Sequence, residues 1–443
     1  MVNAREVAVN TVMQVLEEKA YSNIVLNRNL NESSLESKDK GLVTELVYGT
    51  IKYKYSIDKI LKKYLDKNFD RIDKYILNIL RVCIYQLRYL DKIPAFAAVN
   101  EGVELAKKKV STGASKLVNG VLRNYIRNKN DKFYNEDNIY EKLAFVYSYP
   151  QWMVKLFINQ YGENIAENIL KGLNNRPSVT VRVNSIKSEF DEVYDELVNL
   201  GYDIEEGCIV PEAIRINKGS SIESNKLFQE GKITVQDESA MLVATVMELK
   251  DNMTVLDLCS APGGKTTHIG ELMNNTGKVL AFDIYDHKLD LIKSNVDRLG
   301  LSNIETQILD ATEFRSEYEN YADRVLIDVP CSGLGIIRKK PEIKYTKKEK
   351  ELKEIQTIQR KILENASKYV KVGGNLLYST CTINKDENEK NIRWFLKNHD
   401  NFKVKTINFG SAENLVYDEL GCVTVLPNEY MDGFFIANLY REK

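Results

Sequence analysis

The stretch "TVLDLCSAPGGKTTHIGELM", residues 254–273, decides how the chain reads. "TVLDL" is a short apolar run suited to a buried parallel strand, "CSAPGG" is a tight small-residue turn, and "KTTHIGELM" has helical spacing. The turn ends like a phosphate-binding loop. Such a loop needs a glycine five residues before the glycine of its Gly-Lys-Thr, because backbone amides along the whole arc must point at the phosphates. Counting back from Gly264 reaches Cys259, so the triphosphate reading fails at its first glycine. No G-x-G-x-x-G runs through Ser260, Ala261 and Pro262 either, which excludes the dinucleotide fingerprint. A strand, a glycine turn and a helix remain, a place for a ligand with an adenosine part.

Downstream, strand and helix alternate in the doubly wound manner. The strands expected are "TVLDL", "KVLAFDI", "IETQILD", "DRVLIDV", "GNLLYST" and "GFFIANLY", with helices over "DHKLDLIKSNVDRLG" and "KKEKELKEIQTIQRKILENASKYV". Ligands of such sheets collect at the carboxyl ends of the strands. Four acids stand there: Asp257, Asp283, Asp310 and Asp328. Asp283 follows Asp257 by 26 positions, about where a nucleotide-binding sheet places the carboxylate that accepts ribose hydroxyls, and Asp310 is within reach of an adenine edge. Two cysteines also leave strand ends, Cys331 in "DVPCSG" and Cys381 in "YSTCT". Set among Ser, Thr, Pro and Gly beside an Asp, they favour nucleophilic chemistry over packing.

Upstream, residues 1–132 read as helices throughout: "AREVAVNTVMQVLEEK" puts Val7, Val12, Val15 and Leu16 on one face, and Pro94 stands where a helix can begin. Residues 133–240 mix helix with strand ("PSVTVRVN") and read as an α+β connector, leaving 241–443 for the catalytic α/β part. The net charge of −1 hides an asymmetry. Residues 51–132 hold 19 Lys and Arg against 8 Asp and Glu, which points to a polyanion partner. The six cysteines lie apart without C-x-x-C spacing, so neither a zinc site nor a disulfide framework is expected, and no metal. No apolar run has membrane-spanning length and the N-terminus lacks a signal-peptide core, so a cytoplasmic protein with no membrane role, acting as a monomer, is expected.

The motifs "LDLCSAPGGKTTH", "VLIDVPCSGLGIIRKKPEIKY", "LLYSTCTINKDENE" and "DGFFIANL" resemble those of the S-adenosylmethionine-dependent RNA cytosine-C5 methyltransferases of the Sun family. "RVN" (182–184) and "VQDESA" (235–240) are similar to that family's connector, and "KLVNGVLRNYIR" resembles the NusB RNA-binding domain. The resemblance covers essentially the whole chain. It implies an all-α NusB-like bundle, an α+β connector and an α/β Rossmann-like class I methyltransferase domain. It also implies S-adenosyl-L-methionine as cofactor, held by Cys259, Ser260, Ala261, Pro262, Gly263, Gly264, Lys265, Asp283, Asp310 and Asp328. The resemblance gives Cys381 the role of nucleophile at cytosine C6, Cys331 that of assisting release, and Asp328 that of a partner for ring nitrogen N3. The implied partner is RNA, namely 16S rRNA or an early small-subunit assembly intermediate. The alternatives are tRNA as substrate, or an inert RNA binder of the antitermination type.

Three further expectations follow. His268 is structural, and His287 and His399 are ordinary surface residues. The cation-dense run 337–353, with Arg338, meets phosphate at the crevice rim. Ser260, where alanine is usual in the family, has little effect.

Overall fold

The computed structural model describes residues 3–66 and 69–443. Contacts divide the chain into two compact units, Met1–Asn174 with Ile337–Glu349, and Asn175–Ile336 with Lys350–Lys443. The first is helical, as expected. Its helices include Ala4–Glu17, Ser37–Lys52, Lys54–Leu65, Lys74–Tyr89, Ala95–Lys109 and Thr112–Arg127. Pro94 is the N-cap of Ala95–Lys109, and Asp73 caps Lys74–Tyr89 by accepting the Ile76 amide. Val43, Leu46, Val47 and Ile51 follow helical spacing and are wholly buried, each contributing about 1.5–3 kcal/mol of apolar burial.

The basic character of this unit is partly internal. Arg81 is 4% exposed and forks onto Asp58 at 2.7 and 3.0 Å, with Glu17 at 3.2 Å. The helices Ile139–Val146, Gln151–Tyr161 and Glu163–Gly172 also belong to this unit, so the chain changes unit within the stretch 133–240. Phe145 of the first of them joins the helical core.

The second unit holds two sheets. Strands β1 (Val179–Val183), β2 (Asp203–Glu206), β3 (Ala213–Lys218) and β4 (Ile233–Val235) form an antiparallel sheet in the order β2-β3-β1-β4. The larger sheet contains β5 (Thr254–Asp257), β6 (Lys278–Asp283), β7 (Ile304–Ile308), β8 (Ala322–Asp328), β9 (Val370–Thr380), β10 (Phe402–Val404), β11 (Leu415–Tyr417), β12 (Val423–Val425) and β13 (Phe434–Arg441). Its order is β11-β12-β13-β9-β8-β5-β6-β7, with β10 also on β13. All six expected strands are present. β5 to β9 are parallel, whereas β13 runs antiparallel to β9, which alternation alone does not reveal. The three-residue strands β10, β11 and β12 were too short for a sequence pattern.

From β5 the chain passes to β6 and β7 on one side and to β8 and β9 on the other. The crevice of an open sheet lies where the order turns back in this way, at the carboxyl ends of β5 and β8.

Candidate active site

The turn after β5 is held from below. Asp257 is 1% exposed and accepts a hydrogen bond from Thr266 Oγ1 at 2.7 Å, while its Oδ1 is buried without a partner. Burial pushes its carboxyl up to about 6. Ser260 Oγ donates to the Asp257 carbonyl at 2.7 Å and accepts the Phe282 amide at 2.9 Å, sewing the turn to β6. The expectation that serine here has little effect is corrected: a buried hydroxyl with two partners is a structural tie. Gly263 caps the helix Gly264–Leu272 at φ +102°, a conformation that favours glycine.

A latch missed in the sequence fixes that helix. Arg182 on β1 is wholly buried, forks onto Glu271 at 2.9 and 2.8 Å, and donates to the Gly264 carbonyl at 2.9 Å. Gln236 is a further acceptor. Both ends of the latch lie in quoted motifs, but nothing in spacing pairs residues 89 apart.

Asp283 closes β6, and Asp310 lies two residues past β7. Oδ1 of Asp283 accepts the Tyr285 amide, and Oδ1 of Asp310 accepts Thr312 N and Oγ1. Each keeps Oδ2 without a protein donor among the described residues. The Cys259 thiol between these acids is pushed well up by burial and then by the charges of Asp257, Asp328 and Asp283, so it stays protonated. A glycine turn with an orphaned carboxylate oxygen below it, and two carboxylates on the next strands, fits a nucleoside with hydroxyls to bind and a cationic centre to accept.

Asp328 ends β8 beside β9, paired in register with Ser379. Its Oδ1 accepts Ser379 Oγ at 2.9 Å, and its Oδ2 accepts Lys265 Nζ at 2.7 Å. Burial works to lower the Lys265 ammonium, but the Asp328 pair overrides it and holds the group above its ordinary value. The ammonium also lies 5.0 Å from the centre of the Phe434 ring.

Because β8 and β9 are neighbours running the same way, the loops that leave them bring Cys331 and Cys381 together, Sγ to Sγ at 3.1 Å. Both are half-buried free thiols. The contact with Cys381, then burial, then Glu387 and Asp328 push the Cys331 thiol well up. Glu387 is the second residue missed. Wholly buried, its carboxylate accepts Ser332 N at 2.8 Å, Ser332 Oγ at 2.5 Å, Asn384 Nδ2 at 3.0 Å and Gln359 Nε2 at 3.0 Å. It ties the Cys331 loop, the Cys381 loop and the helix Glu351–Tyr369 to one point. Gly335 adds a close approach: its amide donates to the Cys381 carbonyl at 3.0 Å, and a Cβ there would fall 2.0 Å from the Gly433 oxygen.

Two expectations are corrected. In the run 337–353, Arg338 and Lys344 are each 1% exposed, inside the helical unit rather than at a rim. Lys344 donates to the carbonyls of Lys52 and Ser148 at 3.2 and 3.1 Å and to Asn174 Oδ1 at 2.9 Å. Glu342 accepts Ser22 N and Oγ at 3.1 and 2.8 Å. Lys348, Lys350 and Lys353 of the same run are exposed, so the correction holds for Arg338 and Lys344 alone, and a periodic charge run does not reveal that Lys344 finds internal acceptors. His399 is not a plain surface residue either: it stacks on Phe395 at 4.2 Å with Nε2 3.2 Å from Glu364. His287 is exposed. His268 is structural as expected, buried with Nε2 2.7 Å from Glu212.

Comparison with known proteins gives a consistent result. Residues 244–440 match the family described as 16S rRNA methyltransferase RsmB/F, residues 2–127 the NusB family, and residues 149–223 the RsmF/B-like ferredoxin-like domain. The probable ribosomal RNA small subunit methyltransferase B of Bacillus subtilis is 38% identical over 99% of both chains. The chain belongs to this methyltransferase B family. A second member, from Shewanella oneidensis, is 33% identical over 99% of both chains. The crystal structure of PH0851 covers 100% of this chain and 99% of its own at a TM-score of 0.85 and 29% identity. The NusB match lies in the helical unit, the ferredoxin-like match spans the last helices of that unit and β1 to β3, and the methyltransferase match covers the large sheet, so the multi-domain fold read from the sequence holds. No helix among the described residues is long and apolar enough to cross a membrane.

Proposed function

We propose that the protein transfers a methyl group from S-adenosyl-L-methionine to carbon 5 of a cytosine in 16S rRNA, through a covalent bond between Cys381 and carbon 6. In this reading residues 1–132 bind RNA, 133–240 connect, and 241–443 carry out catalysis. The observation that carries it is the pair of thiols 3.1 Å apart next to the Lys265–Asp328 ion pair.

Carbon 5 of cytosine is too weak a nucleophile to take a methyl group unaided. Cys381 adds as a thiolate to carbon 6, and the electron pair of the 5,6 double bond moves onto carbon 5. Asp328 is the hydrogen-bond partner of ring nitrogen N3, and Lys265, 2.7 Å from it, balances its charge. Hydrogen bonding at N3 draws charge toward the ring nitrogen and eases the addition. The turn 259–265 with Asp283 and Asp310 would hold S-adenosylmethionine, which would supply the methyl group for carbon 5. The carbon 5 proton then leaves to a base, and its electron pair reforms the double bond as the Cys381 thiolate is expelled. Cys331, in contact with the departing sulfur, assists this release. The target must be unpaired or turned out of its stack, because carbon 6 is out of reach inside a helix.

RNA carrying 5-fluorocytosine in place of cytosine is the test, since fluorine at carbon 5 cannot leave as a proton would. An adduct whose RNA-linked peptide contains Cys381 is expected, and with ordinary RNA Cys331→Ala accumulates the same adduct. Trapping at another residue, or full methylation by Cys381→Ala, overturns the mechanism. Bisulfite sequencing with and without the protein places the target: a protected cytosine confined to tRNA overturns the 16S assignment.

A further inference from the structure

The helical unit carries a groove of about 450 Å³ between the helices Ala95–Lys109 and Thr112–Arg127, far in sequence from the thiols. Gly120 lies within the second helix, where glycine is unfavourable and needs a reason. Gly102 on the facing helix has one: a Cβ there would fall 2.5 Å from Cys83 Sγ. At Gly120 a Cβ would meet nothing within 4 Å. No internal packing requires this glycine, but it leaves the helix backbone open to a flat group from outside.

What lines the groove says which group. Phe96 is 70% exposed in the first turn of its helix, an aromatic face presented to solvent. Asn100, one turn further along the same face, offers both a donor and an acceptor. Arg123 and Arg127 follow Gly120 at helical spacing, and neither forms an ion pair among the described residues. The lining residues include no carboxylate. An aromatic platform, an amide and two unneutralised guanidiniums complement a stacked base with its flanking phosphates, and a neutral apolar partner would leave both cations unmatched.

We propose that this groove binds an unpaired nucleotide of the RNA substrate, its base on Phe96 over Gly120 and its phosphates at Arg123 and Arg127. The proposal rests on the RNA reading above and adds a site remote in sequence from the catalytic residues.

The test uses the full chain and a fluorescent single-stranded oligouridylate of about 12 nucleotides. Affinity is measured by anisotropy across a salt series, and melting temperature alongside. Gly120→Leu fills the groove while improving helix propensity, so single-strand affinity should fall at least about tenfold as the melting temperature holds or rises. A merely misfolded variant would move both downward. Phe96→Ala should weaken binding by about 5- to 100-fold, the range for a lost stacked base. Arg123→Ala and Arg127→Ala should each reduce the slope of log affinity against log salt by about 0.7. Unchanged affinity and slope in these variants, or self-association that Phe96→Ala abolishes with RNA binding intact, overturns the groove as a nucleotide site. The 5-fluorocytosine trap separates the two readings: an adduct at Cys381 with no groove effect sinks only the groove, and no adduct with a groove effect sinks only the chemistry.

Discussion

Lys265 and Lys344 are both withdrawn from water, with Lys344 1% exposed and the Lys265 side chain 14%. Their surroundings drive them in opposite directions. Lys265 faces the Asp328 carboxylate at 2.7 Å and stands above its ordinary pKa. Lys344 faces two carbonyls, an amide oxygen and the Tyr149 ring at 3.6 Å, and burial followed by the charge of Lys52 drives it well below. An ammonium beside a carboxylate at a strand end keeps a charge it can present to a ligand. One that meets only neutral oxygens pins the segment Ile337–Glu349 within the helical unit. The sequence places both in basic company, and that company says nothing about which is which.

The largest break in this comparison comes from Lys265→Met. It removes the donor and leaves Asp328 uncompensated, so kcat for methyl transfer should fall by about 10³-fold, read by tritium transfer from labelled S-adenosylmethionine. A loss confined to KM for RNA would assign Lys265 to binding instead.

Glu387→Gln comes next, because one amide cannot accept from all four donors that the carboxylate holds. Turnover should drop by about 10- to 100-fold with KM for RNA held, and diamide should oxidise the Cys331–Cys381 pair to a disulfide more slowly. Unchanged cross-linking would mean that the thiols are positioned without Glu387.

Lys344→Met acts on stability rather than chemistry. It strands three acceptors, at about 2–3 kcal/mol. A lysine whose folded pKa is lowered binds fewer protons in the native state, so its penalty is relieved as pH rises toward 10.5. The stability gap between wild type and Lys344→Met should therefore widen from pH 7 to 10 in thermal melts, and a narrowing gap would reverse the assignment.

Asp257→Asn is the smallest effect. The folded carboxyl stands at about 6 against an ordinary 3.8. Its contribution is fully present below pH 3.8 and lost as pH rises through 6. The variant should be about 1–2 kcal/mol more stable than wild type at pH 7, with the gain vanishing near pH 4. Asp58 and Asp323 are held down by their cations, so their stabilisation has the opposite slope, and only the difference between the two proteins isolates Asp257.

Much of the fold was legible because its signals are local. "TVLDL" followed by a glycine turn and an amphipathic run must form strand, turn and helix, since periodicities of 2 and 3.6 are set by residues a few positions apart. The candidate site was legible only in part. Strand-end acids and cysteines could be named one by one, because such residues leave a buried strand for a polar reason. Ser260 looked expendable until its two partners appeared, and Arg182 and Glu387 lay inside quoted motifs with nothing local to mark their partners.

By itself the sequence determined the order of elements, the face each helix buries, and which residue types stand at the mouths of the parallel strands. Only the tertiary structure decided that Cys331 meets Cys381, that Lys265 finds Asp328, that Glu387 gathers two loops, and that Lys344 is shut inside the helical unit. The reason is physical: those partners lie between 50 and 292 positions apart, and no local period specifies such a distance. Strand order and register bring the partners of the candidate site together, and helix packing encloses Lys344.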